Sequence, residues 1–170
     1  MLSLKTIHII GAVFVFVLGT LLHFTWKWSN YSSIAAVFSA VSESTWEHLK
    51  LIFFPFILFL IFEYVIYGKY EKCFFTVKFR AVLLGMFVIT ASFYTYTGIL
   101  GNNYLPLDIG TFILGVLAAY VYSYKCFNSN FNSCSAVSEL LSVAGIAALI
   151  LVFGIFTFDP PPLGIFNPPI

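Results

Sequence analysis

Five apolar runs, each long enough to cross a membrane, constrain the fold of this chain more than any other feature. A hydrocarbon core of about 30 Å needs about 20 helical residues to span it. The runs lie near residues 5–26, 46–68, 81–100, 105–125 and 137–158. Only 9% of the residues are charged, against roughly 25% in soluble domains. The composition therefore predicts a multi-pass membrane protein.

The apolar segment between the first two runs is too short to span a bilayer. It reads SSIAAVFSAVS and covers residues 32–42. Lipid offers no hydrogen-bond partners, so backbone groups inside a membrane must be satisfied within helices or closed barrels. We therefore predict an all-α integral membrane bundle of five transmembrane helices. A short re-entrant or interfacial helix lies between helices one and two, and residues 1–170 form a single transmembrane domain.

The basic residues of the loops predict the orientation of the bundle. Cytoplasmic loops carry an excess of Lys and Arg. A cytoplasmic N-terminus places six basic residues on that side, namely Lys5, Lys69, Lys72, Lys78, Arg80 and Lys125. Only Lys27 and Lys50 then fall outside. We expect a cell-membrane protein with its C-terminus outside, and with Cys73, Cys126 and Cys134 as reduced thiols in cytoplasmic loops.

Partners follow from charge and hydropathy. The lipid bilayer is the expected environment, and the net charge of +1 argues against nucleic-acid binding. Protein partners and oligomeric state stay open, because the small-residue faces that helix contacts use are weak here, at Gly145 and Gly154.

Polar residues collect at the outer end of the predicted bundle. The cluster comprises His23, Glu43, Ser44, Glu47, His48, Tyr94 and Asp108. Ionisable groups near lipid are costly and mark ligand or ion pathways. The cluster therefore predicts an outward-facing pocket that binds or transports a small polar or cationic ligand.

Helix capping explains part of this cluster. The stretch STWE at residues 44–47 matches a capping box, in which Ser44 is the N-cap and Glu47 reaches back to its amide. Asp108 lies in a first helical turn, where a carboxylate suits the helix dipole. Capping leaves Glu43 and His48 unexplained. Helical spacing places Glu43 and Glu47 on one face.

Ionisable residues also occur within the predicted spans. His8 is expected near the lipid headgroups, one turn into the first helix. Glu63 is expected to extend toward the cytoplasmic end of its helix, within reach of Lys69. Pro55 predicts a kink in the same helix.

A divalent metal such as zinc is the alternative occupant of the polar cluster. Zinc takes nitrogen and oxygen ligands at about 2.0–2.2 Å. The candidate ligands are His23, Glu43, Glu47, His48 and Asp108. Such a site would make the protein a metal-dependent intramembrane hydrolase acting on a lipid, with Glu43 or Glu47 as general base. A structural subunit of a membrane complex is a second alternative.

Three stretches carry a resemblance to a known family. They are LLHF at 21–24, VSESTWEHLKLIFFP at 41–55 and TFDPPPLGIF at 157–166. Together they resemble a family of small, uncharacterised multi-pass membrane proteins of bacteria, over the whole chain. The resemblance implies the fold and topology and no activity.

A second resemblance concerns Asn30 and Tyr31, followed by a helix start rich in Ser and Glu. This pattern is similar to the first luminal stretch of alkaline ceramidase-like intramembrane hydrolases. The resemblance implies a zinc held by several His and an Asp, including a late HxxxH. This chain has three His, none after residue 48. The hydrolase is therefore the alternative rather than the leading prediction.

Overall fold

The computed structural model describes residues 2–129 and 134–168. All longer regular elements in these ranges are α-helices, and they are α1 (Leu4–Trp28), α2 (Ser33–Phe38), α3 (Thr45–Ile66), α4 (Phe74–Leu100), α5 (Leu105–Asn128) and α6 (Ala136–Phe158). Short 3-10 turns lie at Gly68–Tyr70 and Gly164–Phe166.

Within the described residues, five helices are long and apolar enough to cross a membrane: α1, α3, α4, α5 and α6. The short α2 lies between the first two of them. The predicted all-α bundle of five spans with one short intervening helix is confirmed. The chain has the architecture of a multi-pass membrane protein.

Two lysines lie inside the helices rather than in loops. The prediction started the third span near residue 81, whereas α4 starts at Phe74 and contains Lys78. Lys78 is fully buried and pairs with Glu63 at 2.7 Å. The expectation that Glu63 extends toward Lys69 was therefore wrong. Lys50 is likewise buried in α3. A charge that finds an opposite charge in the interior need not end a span.

Helix α3 lies at the centre of the bundle, against α1 and α4. Its buried face includes Ile52, Phe53 and Phe56, all fully buried. The helix continues through Pro55. In lipid, close packing rather than escape from water drives helix association. Helix α6 is the most peripheral span and packs mainly against α4 and α2.

Helices α4 and α5 approach closely at two glycines. A Cβ built on Gly85 would lie 2.9 Å from the carbonyl oxygen of Gly115, and one built on Gly115 would lie 2.7 Å from that of Gly85. Small residues permit such backbone contact between membrane helices. A tight helix contact therefore lies here, whereas a Cβ on Gly154 would meet open space.

A disulfide joins Cys73, in the turn before α4, to Cys134, at the start of α6. The prediction that these two cysteines are reduced thiols was therefore wrong, and only Cys126 is free among the described residues. The folding of the chain explains the difference. Cys73 and Cys134 precede two helices that pack side by side, so their Cα atoms lie 5.8 Å apart.

Candidate functional site

The loop between α2 and α3 is fixed to both neighbouring helices. The Oγ of Ser39, a fully buried residue, donates a hydrogen bond to the Leu22 carbonyl of α1. The same Oγ accepts a hydrogen bond of 3.0 Å from the Trp26 amide. Further along the loop, the Val41 amide donates to the Glu47 carboxylate of α3 at 2.9 Å. These bonds hold the loop between the end of α1 and the start of α3.

The fixed loop carries Glu43, whose carboxylate lies between two imidazoles. Its Oε1 lies 4.0 Å from His23 Nε2, and its Oε2 lies 3.5 Å from His48 Nε2. One potential ligand atom from each residue lies within 4.8 Å of the others. Ligand atoms of a tetrahedral zinc lie about 3.4 Å apart, as metal–ligand distances near 2.1 Å require. The observed spacing is wider than in an occupied site, so the three side chains would have to close on an ion.

Hydrogen bonding orients one imidazole for such a role. His48 Nδ1 lies 2.9 Å from the Ser44 carbonyl oxygen, to which only a protonated ring nitrogen can donate. In the neutral ring the lone pair is then on Nε2, which faces Glu43. Metal-binding histidines are held in this way, by an acceptor on the ring nitrogen that does not face the metal. His23 faces Glu43 with Nε2, and its Nδ1 is buried without a hydrogen-bond partner among the described residues, so no such acceptor orients this second ring.

The three residues line a cavity of about 400 Å³ at this end of the bundle. Its apolar walls are formed by Leu51, Ile89, Phe93, Leu105, Phe112 and Pro168, and its other polar lining residues are Thr45, Asn103, Asp108 and Thr111. Ile89 lies eleven residues before the end of α4 at Leu100, roughly 16 Å along a helix. The cavity therefore reaches about three helical turns inward from this end of the bundle.

Asp108 supplies a second carboxylate to this cavity. It lies in the first turn of α5 and accepts a close hydrogen bond from the Tyr96 hydroxyl. Asn103 Nδ2 lies 3.5 Å from its other oxygen. Asp108 does not belong to the cluster of His23, Glu43 and His48. The cavity thus has two separate acidic positions.

Glu47, a candidate in the sequence, is directed away from the cavity. Its carboxylate lies 2.6 Å from Lys50 Nζ, and both side chains are buried. Lys50 also donates to the Ala36 carbonyl at 2.8 Å and to Thr157 Oγ1 at 2.9 Å. Glu47 therefore belongs to an ion pair that joins α3 to α2 and α6.

The hydroxyls of Ser44 and Tyr94 also lie outside the cavity lining. Ser44 is the N-cap of α3 and accepts a hydrogen bond of 3.3 Å from the Glu47 amide. The expected return bond from the Glu47 carboxylate to the Ser44 amide is replaced by its bond to the Val41 amide. Tyr94 accepts a hydrogen bond of 3.3 Å from Thr45 Oγ1. Both residues therefore accept hydrogen bonds from the first turn of α3.

Sequence reasoning missed the remaining polar residues of the cavity. Thr111 follows Asp108 by three residues, so helical spacing could have placed it on the same face. Thr45 likewise precedes His48 by three residues. Helical spacing could not have predicted Pro168, because this residue belongs to an irregular tail that folds back over this end.

Comparison with known proteins identifies the family. The chain matches no curated protein and no solved structure. A family model described as "Family of unknown function (DUF6512)" matches residues 1–170. This chain therefore belongs to the DUF6512 family, whose function is unknown.

Proposed function

We propose that this protein binds a divalent metal ion, such as zinc, at His23, Glu43 and His48, in a pocket at one end of a cell-membrane bundle. One observation carries the proposal. Side chains from α1, from the loop before α3 and from α3 itself place three potential ligand atoms within 4.8 Å. From sequence alone, such an ion is the alternative occupant of this cluster, and a small polar or cationic ligand is the leading one.

The exposure of the three side chains suits the entry of an ion. The Glu43 side chain is 60% exposed, whereas those of His23 and His48 are 27% and 34% exposed. The carboxylate therefore lies at the mouth of the pocket and the imidazoles lie deeper. An incoming cation meets a negative group first, and the partly buried imidazoles then replace its water.

The size of the cavity supports a second, larger ligand beside the ion. One water accounts for about 30 Å³ of liquid volume, whereas the cavity measures about 400 Å³. Ligand pockets are typically apolar with a few well-placed polar groups. The polar groups lie at the proposed ion site and around Asp108, and the apolar wall extends inward to Ile89. An amphipathic molecule fits this layout, and binding or transport of such a molecule is the leading function.

A metal-dependent hydrolase acting on a lipid ester or amide is the second candidate. Two His and one Glu form a three-ligand set of the kind that catalytic zinc sites use, with a fourth position open. A bound ion would supply Lewis-acid chemistry there. The geometry changes the roles expected from the sequence, since Glu43 lies among the ligands and Asp108 lies apart from them. Asp108, held by Tyr96, is then the pocket carboxylate available to accept a proton.

Metal titration of the detergent-purified protein tests the proposal. Wild type, Glu43→Gln, His48→Ala and Asp108→Asn proteins are stripped with a chelator, titrated with zinc and assayed by elemental mass spectrometry. We expect about one ion per chain in wild type and a loss of affinity of roughly 100-fold or more in the two ligand variants. Asp108→Asn is the matched control and should retain the ion. Folded wild-type protein that binds no zinc would contradict the proposal.

Turnover separates the two candidate functions. The zinc-loaded proteins are incubated with lipids carrying an ester or an amide bond, and released fatty acid is measured. A hydrolase should lose turnover in Asp108→Asn while it keeps the metal. A binding or transport protein should release none in any variant. A structural subunit should instead co-purify with a fixed partner and bind no stoichiometric metal.

A further inference from the structure

The disulfide between Cys73 and Cys134 lies at the end of the bundle opposite the pocket. It joins positions 61 residues apart in the chain and links α4 to α6. Cys73 is only 2% exposed, whereas Cys134 is half-buried. A reagent in the surrounding solution therefore reaches the Cys134 sulfur first.

The same end carries nearly all of the exposed positive charge. Its exposed basic residues are Lys5, Lys69, Lys72, Arg80 and Lys125. Among the described residues, only Lys27 is an exposed basic residue at the pocket end. Lys50 and Lys78 are buried in ion pairs inside helices, so they are not loop residues and do not count toward the orientation. Exposed positive charge is therefore divided more unequally between the two ends of the bundle than the count from the sequence indicates. The positive-inside rule assigns the disulfide end to the cytoplasm.

A cytoplasmic location determines how stable a disulfide at this end can be toward reduction. Cytoplasmic thiol pools keep cysteines reduced, and disulfides found there are usually transient or redox-sensing. A strong positive-inside signal and a disulfide at the same end are compatible when the bond is reversible. The bond would otherwise require this end to face an oxidising compartment, against the charge distribution.

The bond fixes the start of the most peripheral span. Here Glu139 of α6 accepts hydrogen bonds from the backbone amides of Phe75 and Thr76, at 3.1 and 2.8 Å. Ser142 Oγ lies 3.4 Å from Thr76 Oγ1. These hydrogen bonds and the disulfide hold the start of α6 to the start of α4. Without the disulfide, no covalent link supports them.

We propose that Cys73 and Cys134 form a reversible redox couple on the cytoplasmic side, which sets how firmly the start of α6 is held to α4. The reductant is a dithiol. One of its thiolates attacks Cys134 Sγ, the bond between the two sulfurs breaks, and the electron pair leaves on Cys73 Sγ, which takes a proton. The second thiolate of the reductant then displaces Cys134, which also takes a proton, and the reductant departs as a disulfide. This proposal does not depend on the metal site.

The side from which the bond can be reduced tests the proposal. A full-length Cys126→Ser variant is expressed, in which the two paired cysteines are the only source of thiols. Right-side-out and inverted membrane vesicles, both washed free of cytosol and oxidised, are treated with a membrane-impermeant reductant and quenched in acid. New thiols are then counted with a maleimide mass tag. We expect two thiols in inverted vesicles and none in right-side-out vesicles. Reduction in right-side-out vesicles, or in neither preparation, would overturn the proposal.

Hydrogen exchange tests the effect on α6. Amides of residues 136–142 should exchange roughly 10-fold faster in the reduced protein than in the oxidised protein, because local opening there has lost its covalent restraint. Amides of residues 150–158, at the other end of the same helix, are the internal control and should not change. The result is taken from chemically reduced wild type and is checked with Cys73→Ser. A folding defect of the variant therefore does not affect the conclusion. Equal exchange in both redox states would refute the proposal that the disulfide sets how firmly the start of α6 is held.

Discussion

Lys78 of α4 donates a hydrogen bond of 2.7 Å to Glu63 of α3, and both side chains are fully buried. The Tyr67 hydroxyl donates to the same carboxylate oxygen at 3.1 Å. Burial and the neighbouring Glu63 raise the pKa of Tyr67, so it stays a donor. The ammonium lies 5.4 to 5.7 Å from three ring centroids, those of Phe56, Tyr120 and Phe127. A single charge pair therefore ties the central helix to α4 inside the bundle.

Removal of the lysine should destabilise the protein strongly. Lys78→Met leaves the Glu63 carboxylate buried without a counter-charge, and breaking a buried pair in this way costs about 3–5 kcal/mol. The free energy of unfolding, measured in mixed micelles by circular dichroism, should fall by this order.

A double variant controls for the loss of packing. Lys78→Met combined with Glu63→Gln removes both charges and should recover a large part of the stability. If the double variant is as unstable as Lys78→Met alone, the cost comes from packing of the lysine stem and not from the unpaired carboxylate.

The glycine contact between α4 and α5 predicts a position-specific effect. Gly115→Ala places a Cβ 2.7 Å from the Gly85 carbonyl oxygen, so one helix must shift. Overpacking of this kind costs about 1–3 kcal/mol. Gly110→Ala, in the same helix and with open space around the new Cβ, should instead be neutral or stabilise by up to about 1 kcal/mol. Thermal unfolding of the two variants in one detergent provides the comparison, and equal shifts would contradict close helix contact at Gly115.

The spans were predictable from sequence because each one is a continuous apolar run, and a run needs no tertiary information. The burial of Lys50 and Lys78 was not predictable in this way. Lys78 is buried because α3 brings Glu63 to it. Lys50 pairs with Glu47 one turn earlier in its own helix. Its burial also depends on Ala36 and Thr157, which other helices supply. Lys78 delayed the predicted start of α4, and counting both lysines as loop residues diluted the charge asymmetry between the two ends of the bundle. The disulfide was missed for the same reason, since the pairing depends on how α4 and α6 pack.

The candidate site was predictable only in part. The topology brings His23 and His48 to the same end of the bundle, as the order of the spans requires. The expected pairing of Glu43 with Glu47 assumed a helix through both residues. The backbone at Ser44 is extended, with φ −70° and ψ 150°, so α3 starts after it and Glu43 lies in the loop. The two carboxylates therefore separate, one toward the imidazoles and one toward Lys50.

The tail that follows α6 should be held by one aromatic side chain. The Phe166 ring centroid lies 5.0 Å from that of Trp46 and 5.4 Å from that of Phe156. Such pairs contribute about 0.5–1.5 kcal/mol each. Phe166→Ala should free the tail, speed its proteolysis beyond residue 159 and change the Trp46 fluorescence. Leu163→Ala removes a side chain that is 59% exposed and is the matched control. Equal proteolysis of both variants would show that Phe166 does not hold the tail.

Ser39 provides a test of the proposed metal site that alters no ligand. Its hydroxyl fixes the loop to Leu22 and Trp26 of α1, and this loop positions Glu43 between the imidazoles. Loss of a residue that orients a ligand typically lowers metal affinity by about 10–100-fold. Ser39→Ala should therefore weaken zinc binding by this order while the stoichiometry at saturating zinc stays the same.

The matched control is Ser33→Ala, which changes an exposed serine at the start of α2 and should leave zinc affinity unchanged. Calorimetric titration of chelator-stripped protein measures both variants, and circular dichroism shows whether each is folded. A folded Ser39→Ala protein with wild-type affinity would mean that Glu43 reaches the ion without a fixed loop. A parallel loss in Ser33→Ala would point to a general weakening of the bundle. Loss in Ser39→Ala alone would tie the metal affinity to the hydrogen bonds that hold the loop against α1.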